Sequence, residues 1–154
     1  MPRPTFKVQG IDHVELFVPD QYEAARWCER TLGLQIVPRF AHWAERGPLM
    51  VSSDEGRTKL ALFVGKPRGA RQTAGHHLVA FRVDAEGFLR FLEHIGHNPV
   101  FGEHGEELRE LPPRDHGEAF SVYFCDPWGN RYEVTTYDVA PVRGRLGAAE
   151  GAEN

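Results

Sequence analysis

Three positions spread along the 154-residue chain carry side chains of the types that hold a divalent cation: His13, a histidine at 76 or 77, and Glu133. In IDHVELFV, residues two apart share a side if the segment is a strand. Val14, Leu16 and Val18 then make an apolar face for a helix to cover, and His13, Glu15 and Phe17 point the other way. In NRYEVTTY, Tyr132 and Val134 take the covered side and Arg131, Glu133 and Thr135 the open one. Each polar residue alone has an ordinary reading, as a hydrogen-bonded imidazole or a solvated carboxylate. Two imidazoles and one carboxylate on a common surface would instead grip an ion from one side. The other side stays open to substrate and to dioxygen or water. Such a set suits non-haem iron(II) and also accepts manganese, zinc or nickel.

The elements that must bring these residues together read as one plan written twice. Residues 11–18 alternate as a strand, and Pro19 stops it. Asp20 and Glu23 form a capping-box pattern, Ala24, Trp27, Cys28 and Leu32 recur at helical spacing, and Gly33 suits a helix end. Short strands follow over 34–37, in LMVSS after Gly47-Pro48, and in TKLALFV after Asp54-Glu55-Gly56. Beyond a polar linker, 66–74, the order returns. HHLVAFRV reads as a strand, and Asp84 opens a helix with Phe88, Phe91, Leu92 and Ile95 on one face, closing near Gly96. A short strand fits 98–101. Residues 102–117 are polar and too long for an ordinary turn, which suggests a lid or active-site loop. AFSVYFC and NRYEVTTY are strands joined by an Asp126-Pro127-Trp128-Gly129 turn. The tail 141–154 is small and polar, and is expected to fray. Two strand-first modules, 11–65 and 75–138, thus make one domain, 1–140.

Composition narrows the function classes. At 41% hydrophobic and 26% charged, the chain can bury a core and stay soluble. No apolar run approaches the about 18 residues of a membrane span, and the first residues lack the apolar segment of a secretory leader. A net charge of −4 without a block of Lys and Arg argues against nucleic acid. Cys28 and Cys125 cannot build a disulfide framework and read as buried thiols in a reducing compartment, so a cytoplasmic location is expected.

The segments IDHVELFVPD, HHLVAF and above all VYFCDPWGNRYEV resemble the vicinal oxygen chelate superfamily, which includes glyoxalase I, bleomycin- and fosfomycin-resistance proteins and extradiol ring-cleaving dioxygenases. The resemblance runs from about Ile11 to Tyr137. It implies an α+β fold of two βαβββ modules forming an open, cup-like barrel around one metal. It also implies His13, a histidine of the second module's first strand, and Glu133 as ligands. Within the superfamily, His116, Val122-Tyr123, Asp126-Pro127, Gly129 and Glu133 look most like the extradiol dioxygenase signature. That likeness makes His116 and Tyr123 catalytic groups that hydrogen-bond a metal-bound substrate or oxygen species, as donors beside a developing anion should.

Three positions depart from the pattern. The family writes its second ligand as His-x-Ala-Phe, whereas Leu78-Val79 separates His77 from Ala80-Phe81. Strand parity places His76 on Ala80's face. His77 stands nearer the family position, could turn inward through a bulge, and is taken as the ligand. Aligning the modules on Gly56 and Gly129 sets Leu60 opposite Glu133, which argues against the four-ligand glyoxalase site. TKLALFV also lacks the acid–base histidine of extradiol enzymes, with Lys59 and His42 the nearest stand-ins. Small-molecule binding in an aromatic cup (Phe17, Phe40, Trp43 and Trp128) and a homodimer complete the expectation. The leading reading is an iron(II) extradiol-type dioxygenase acting on an aromatic diol. The alternatives are a glyoxalase-like isomerase, epimerase or transferase on another oxygen chelator, and a metal-free drug-binding protein.

Overall fold

The computed structural model describes residue 7, residues 9–66 and residues 77–152, without the side chains of 148–152. The chain divides into two compact units, Met1–Lys66 and Pro67–Asn154. His76 and nearly all of the expected linker, 66–74, lie outside the described residues.

The first unit opens with β1 (His13–Val18), which stops at Pro19. Asp20 then caps α1 (Gln21–Leu32), its Oδ1 accepting from the backbone N–H of Tyr22 and Glu23, each at 2.9 Å. Gly33 ends the helix at φ 69°, where a side chain would be strained. β2 (Gln35–Ile36), β3 (Leu49–Ser52) and β4 (Lys59–Val64) complete a four-stranded sheet ordered β1-β4-β3-β2, with β1 and β4 parallel. Register sets Leu16 beside Leu62, and Leu62 beside Leu49. These residues are buried, as are Ala24, Trp27 and Cys28 of α1, which packs on β3 and β4. The alternation of β1 thus has its physical cause in the helix above it. Residues 34–37 supply only a two-residue strand, because Pro38 turns the chain into a 3₁₀ segment, Pro38–Glu45. That segment lays Phe40 against a second core of Val37, Met50 and Ala61, on the face that β1 shares with His13.

The second unit repeats the plan. β5 (Val79–Arg82) leads to α2 (Ala85–His94), capped by Asp84 onto Gly87 N at 2.7 Å. β6 (Val100–Phe101), β7 (Glu107–Leu108), β8 (Arg114–Asp115), β9 (Phe120–Cys125) and β10 (Arg131–Thr136) follow. The sheet runs β5-β10-β9-β6-β7, with β8 also on β9. Again the unit's first strand lies parallel to its last, β5 on β10. One face is an aromatic layer: Phe81 and Phe124 each stack on Tyr132, Phe91 meets Phe124 at 5.4 Å, and Phe88 meets Phe120 at 6.5 Å. The described strands therefore form two sheets in a mixed α+β architecture.

Two segments differ from expectation. Residues 102–117 are not a structureless lid, since β7 pairs with β6 and β8 with β9. Of the tail expected to fray, residues 141–152 belong to a helix, α3 (Val139–Ala152). Val142 is fully buried there, α3 packs on α2, and the Arg143 guanidinium takes both oxygens of Asp115 at 3.0 Å. One apolar anchor and one forked ion pair hold what composition alone makes unpromising.

Candidate functional site

His13 stands at the start of β1, level with Lys59 of β4. Its Nδ1 lies 2.8 Å from Asp12 Oδ2, and the other Asp12 oxygen lies 3.1 Å from Lys59 Nζ. The Lys59 ammonium also donates to Gly56 O at 2.6 Å, and its side chain is only 5% exposed. Hydrogen bonds from His13 first, then Lys59, hold the Asp12 carboxyl below its ordinary value. A carboxylate at Nδ1 selects the tautomer whose Nε2 carries the lone pair, the arrangement typical of a metal-ligating histidine. Nε2 lies 3.6 Å from Glu15 Oε1.

In the second unit, β9 and β10 set Glu133 opposite Tyr123, and β5 sets Ala80 on the other side of Glu133. This is the face away from the aromatic layer, because Tyr132 and Val134 between these positions are buried. The Tyr123 hydroxyl lies 2.9 Å from His116 Nε2. His116 is held by its own backbone, whose N–H donates to Ala119 O at 2.8 Å as the β8–β9 pairing ends. The Arg114 guanidinium lies over the Tyr123 ring, 5.4 Å from its centroid. Sequence separation hides this group; the short β8 creates it by folding 114–116 back along β9.

The turn before β10 fixes where Glu133 stands. Asp126 is buried and accepts from Trp128 N at 3.0 Å, from Asn130 N at 2.9 Å and Nδ2 at 2.8 Å, and from the Tyr132 hydroxyl at 3.1 Å. Burial pushes its carboxyl above the ordinary value against those bonds, Asn130's foremost. Gly129 takes φ 93° inside this turn.

The other expected residues fare differently. His77 lies in a bend before β5 and is exposed; Leu78 stands between it and the strand. Leu60 pairs with Val14 on the helix-covered face, so the residue of β4 level with His13 is Lys59. Lys59 is committed to Asp12 and Gly56, which leaves it poorly placed as an acid–base group. His42 is exposed on the 3₁₀ segment, edge-on to Trp43. Phe40 stacks on Trp43 at 4.4 Å and Phe17 meets Phe63 at 6.0 Å, while Trp128 is half-buried in its turn. Among the described residues, no three His, Cys, Asp or Glu side chains gather as a ready-made ion site. Each unit by itself offers one donor of a type that suits a divalent ion: in the first an imidazole oriented by a carboxylate, in the second a half-buried carboxylate on a polar sheet face. The role of Asp12 was missed from sequence. The visible signal was an acid directly before the histidine and a lysine in an otherwise apolar strand.

No curated protein matches the chain in sequence. Solved structures do match in fold. FosX from Listeria monocytogenes, a genomically encoded fosfomycin resistance protein solved with Mn(II) and sulfate, is 17% identical with a TM-score of 0.59, over 91% of this chain and 99% of that one. A glyoxalase/bleomycin resistance protein/dioxygenase from Alicyclobacillus acidocaldarius is 15% identical with a TM-score of 0.58, over 84% and 92%. The oxidase ChaP-H2 is 20% identical with a TM-score of 0.59, over 85% and 94%. The family model of the Glyoxalase/Bleomycin resistance protein/Dioxygenase superfamily matches residues 10–134, well over half of the chain, and the protein belongs to that superfamily.

Proposed function

We propose that this protein is a divalent-metal-dependent enzyme acting on a small oxygen-chelating substrate, in the manner of a single-domain extradiol dioxygenase. The observation that carries this reading is the His116–Tyr123 contact of 2.9 Å, with Tyr123 directly opposite Glu133. His13, His77 and Glu133 would hold the ion, with iron(II) first and manganese, zinc or nickel as alternatives. A bound ion would fix two substrate oxygens and make their protons easier to lose.

The protein's own part is positioning and proton handling. Tyr123 and His116 form a two-group relay, in which the phenol can donate toward a substrate oxygen while His116 Nε2 stands ready at its hydroxyl. Asp12 and Lys59 keep the His13 ring in one orientation. Membership of a superfamily with a fosfomycin resistance protein and an oxidase among its fold neighbours supports an enzyme on a small molecule. The test is anaerobic loading with iron(II), then a panel of catechols in air. A ring-fission chromophore with oxygen uptake is expected. Its absence, with oxygen unconsumed, removes the dioxygenase reading and leaves the isomerase, epimerase or transferase alternatives.

One observation favours a metal-free binding protein instead: His77 sits outside β5, with Leu78 where the family places its ligand. Metal analysis of protein purified without chelator separates the two, since a simple binder holds no stoichiometric ion.

A further inference from the structure

We infer that the substrate of this site carries an oxyanion group, a carboxylate being the simplest, and that the Arg114 guanidinium receives it; the inference rests on the reading above. Register lays the polar face of the second sheet out in two rows. One row runs Ala80, Glu133, Tyr123. The next runs Arg82, Thr135, Ser121, Arg114 across four strands. The rows are two residues apart, roughly 6.6 Å along the strands.

The charges on this face do not cancel. Arg131 is paired with Glu103. Arg114 has a carboxylate as its sequence neighbour, but Asp115 alternates to the other side and is taken by Arg143 through a bidentate contact. No described carboxylate pairs with Arg114; its contact is the Tyr123 ring. The hydroxyls between the two arginines are already engaged, Ser121 Oγ donating to Thr135 Oγ1 at 2.9 Å and Thr135 Oγ1 to Phe120 O at 3.2 Å. The guanidiniums are therefore the row's free donors toward a ligand among the described residues.

Of the two, Arg114 is the better placed. Its guanidinium lies over the ring whose hydroxyl meets His116, and Tyr123 is level with Glu133 on the same sheet face. A guanidinium braced on an aromatic face keeps its fork of N–H groups for an oxyanion. A substrate chelating an ion at the Glu133 end would then present its anionic group across Tyr123, about one aromatic ring away.

Two probes that differ in charge test this: 3,4-dihydroxybenzoate and 4-methylcatechol, titrated anaerobically by calorimetry into the protein with Mn(II). The carboxylated probe should bind at least ten-fold more tightly, with a preference that shrinks as salt is raised. In Arg114→Gln the preference should fall toward one, and Arg114→Lys should keep part of it. Equal affinities for the two probes in the wild type overturn the inference and leave the metal-chelation reading standing. Loss of the preference in Arg82→Gln but not in Arg114→Gln overturns the assignment to Arg114. Binding of neither probe overturns the metal-chelation reading, and the inference with it.

Discussion

Lys59 Nζ lies 3.1 Å from Asp12 Oδ1, and that contact, between residues 47 apart in sequence, holds the carboxylate against the His13 ring. The ammonium is buried, so it is costly to leave unpaired, and Asp12 and Gly56 O are the partners that satisfy it. If His13 is a metal ligand, Asp12→Ala should weaken divalent-metal affinity by about 10- to 100-fold, the usual effect of removing a group that orients a ligating histidine. Mn(II) titration gives the affinity. Two-bond ¹⁵N correlation spectra give the tautomer without any metal, and the His13 ring should lose its Nδ1–H preference. An unchanged tautomer distribution would show that Asp12 does not orient the ring.

Tyr123→Phe removes one hydroxyl from the sheet face that carries Glu133 and leaves the ring under Arg114. A proton-handling role predicts a fall in kcat of about 10²-fold, little change in thermal stability, and a similar loss in His116→Phe. The double variant should lose little more than either single one, because two groups acting as one relay are strongly non-additive. Full additivity in that cycle would separate the residues' roles.

Much of the scaffold was readable because it rests on local chemistry. Asp20 and Asp84 cap helices where their spacing predicts, Gly33 closes α1 in the left-handed region, and the alternation of β1 matches its buried and open faces. The pieces that escaped are those without a period. β7 and β8 have two residues each, too few to alternate, and Pro38–Glu45 is a 3₁₀ turn whose apolar residues pack through Phe40. At the site, no local pattern links Asp12 to Lys59 or Arg114 to Tyr123; parallel register and a two-residue strand make those contacts. His116 and Tyr123 were reached only through resemblance, since a histidine and a tyrosine seven residues apart have no reason to meet until β8 folds back.

Asp126 illustrates a buried acid that is structural. Asp126→Ala would remove a buried acceptor shared by the Trp128 and Asn130 backbone N–H groups, the Asn130 amide and the Tyr132 hydroxyl, at a cost of about 3 kcal/mol. Urea denaturation measures the loss. Because the turn leads directly into β10, the variant should also lose metal affinity if Glu133 is a ligand, even where folding is restored by lower temperature.

An acid in the turn before β4 of the first unit carries a prediction with pH. Asp54 is half-buried, and bonds from the Thr58 backbone, Ser52 and the Thr58 hydroxyl lower its pKa from 3.8 to about 2. The folded protein therefore binds this proton less readily than the unfolded chain. The stabilisation is complete above the unfolded value near 4 and drains away as pH falls toward about 2. Comparing wild type with Asp54→Asn by urea denaturation isolates this group from other carboxylates. The stability gap should be constant from pH 7 to pH 5 and narrow steadily below pH 4. A gap independent of pH would mean that the turn is held by its hydroxyl and backbone bonds without help from the charge.

Val142 decides whether α3 is part of the fold. It is fully buried where α3 packs on α2, and Arg143 beside it reaches both Asp115 and the face of the Phe120 ring at 5.4 Å. Val142→Ala removes two buried methyl groups and should cost about 2 kcal/mol, whereas Arg143→Ala, at an exposed pair, should cost under about 1 kcal/mol. Arg143→Ala also frees Asp115 next to Arg114. Asp115 stays on the other side of the strand, but its uncompensated negative charge is then close to the Arg114 face, and affinity for an anionic probe should fall modestly while affinity for the neutral catechol holds. Stability and probe affinity are separate measurements, so a purely structural helix would move the first and leave the second untouched.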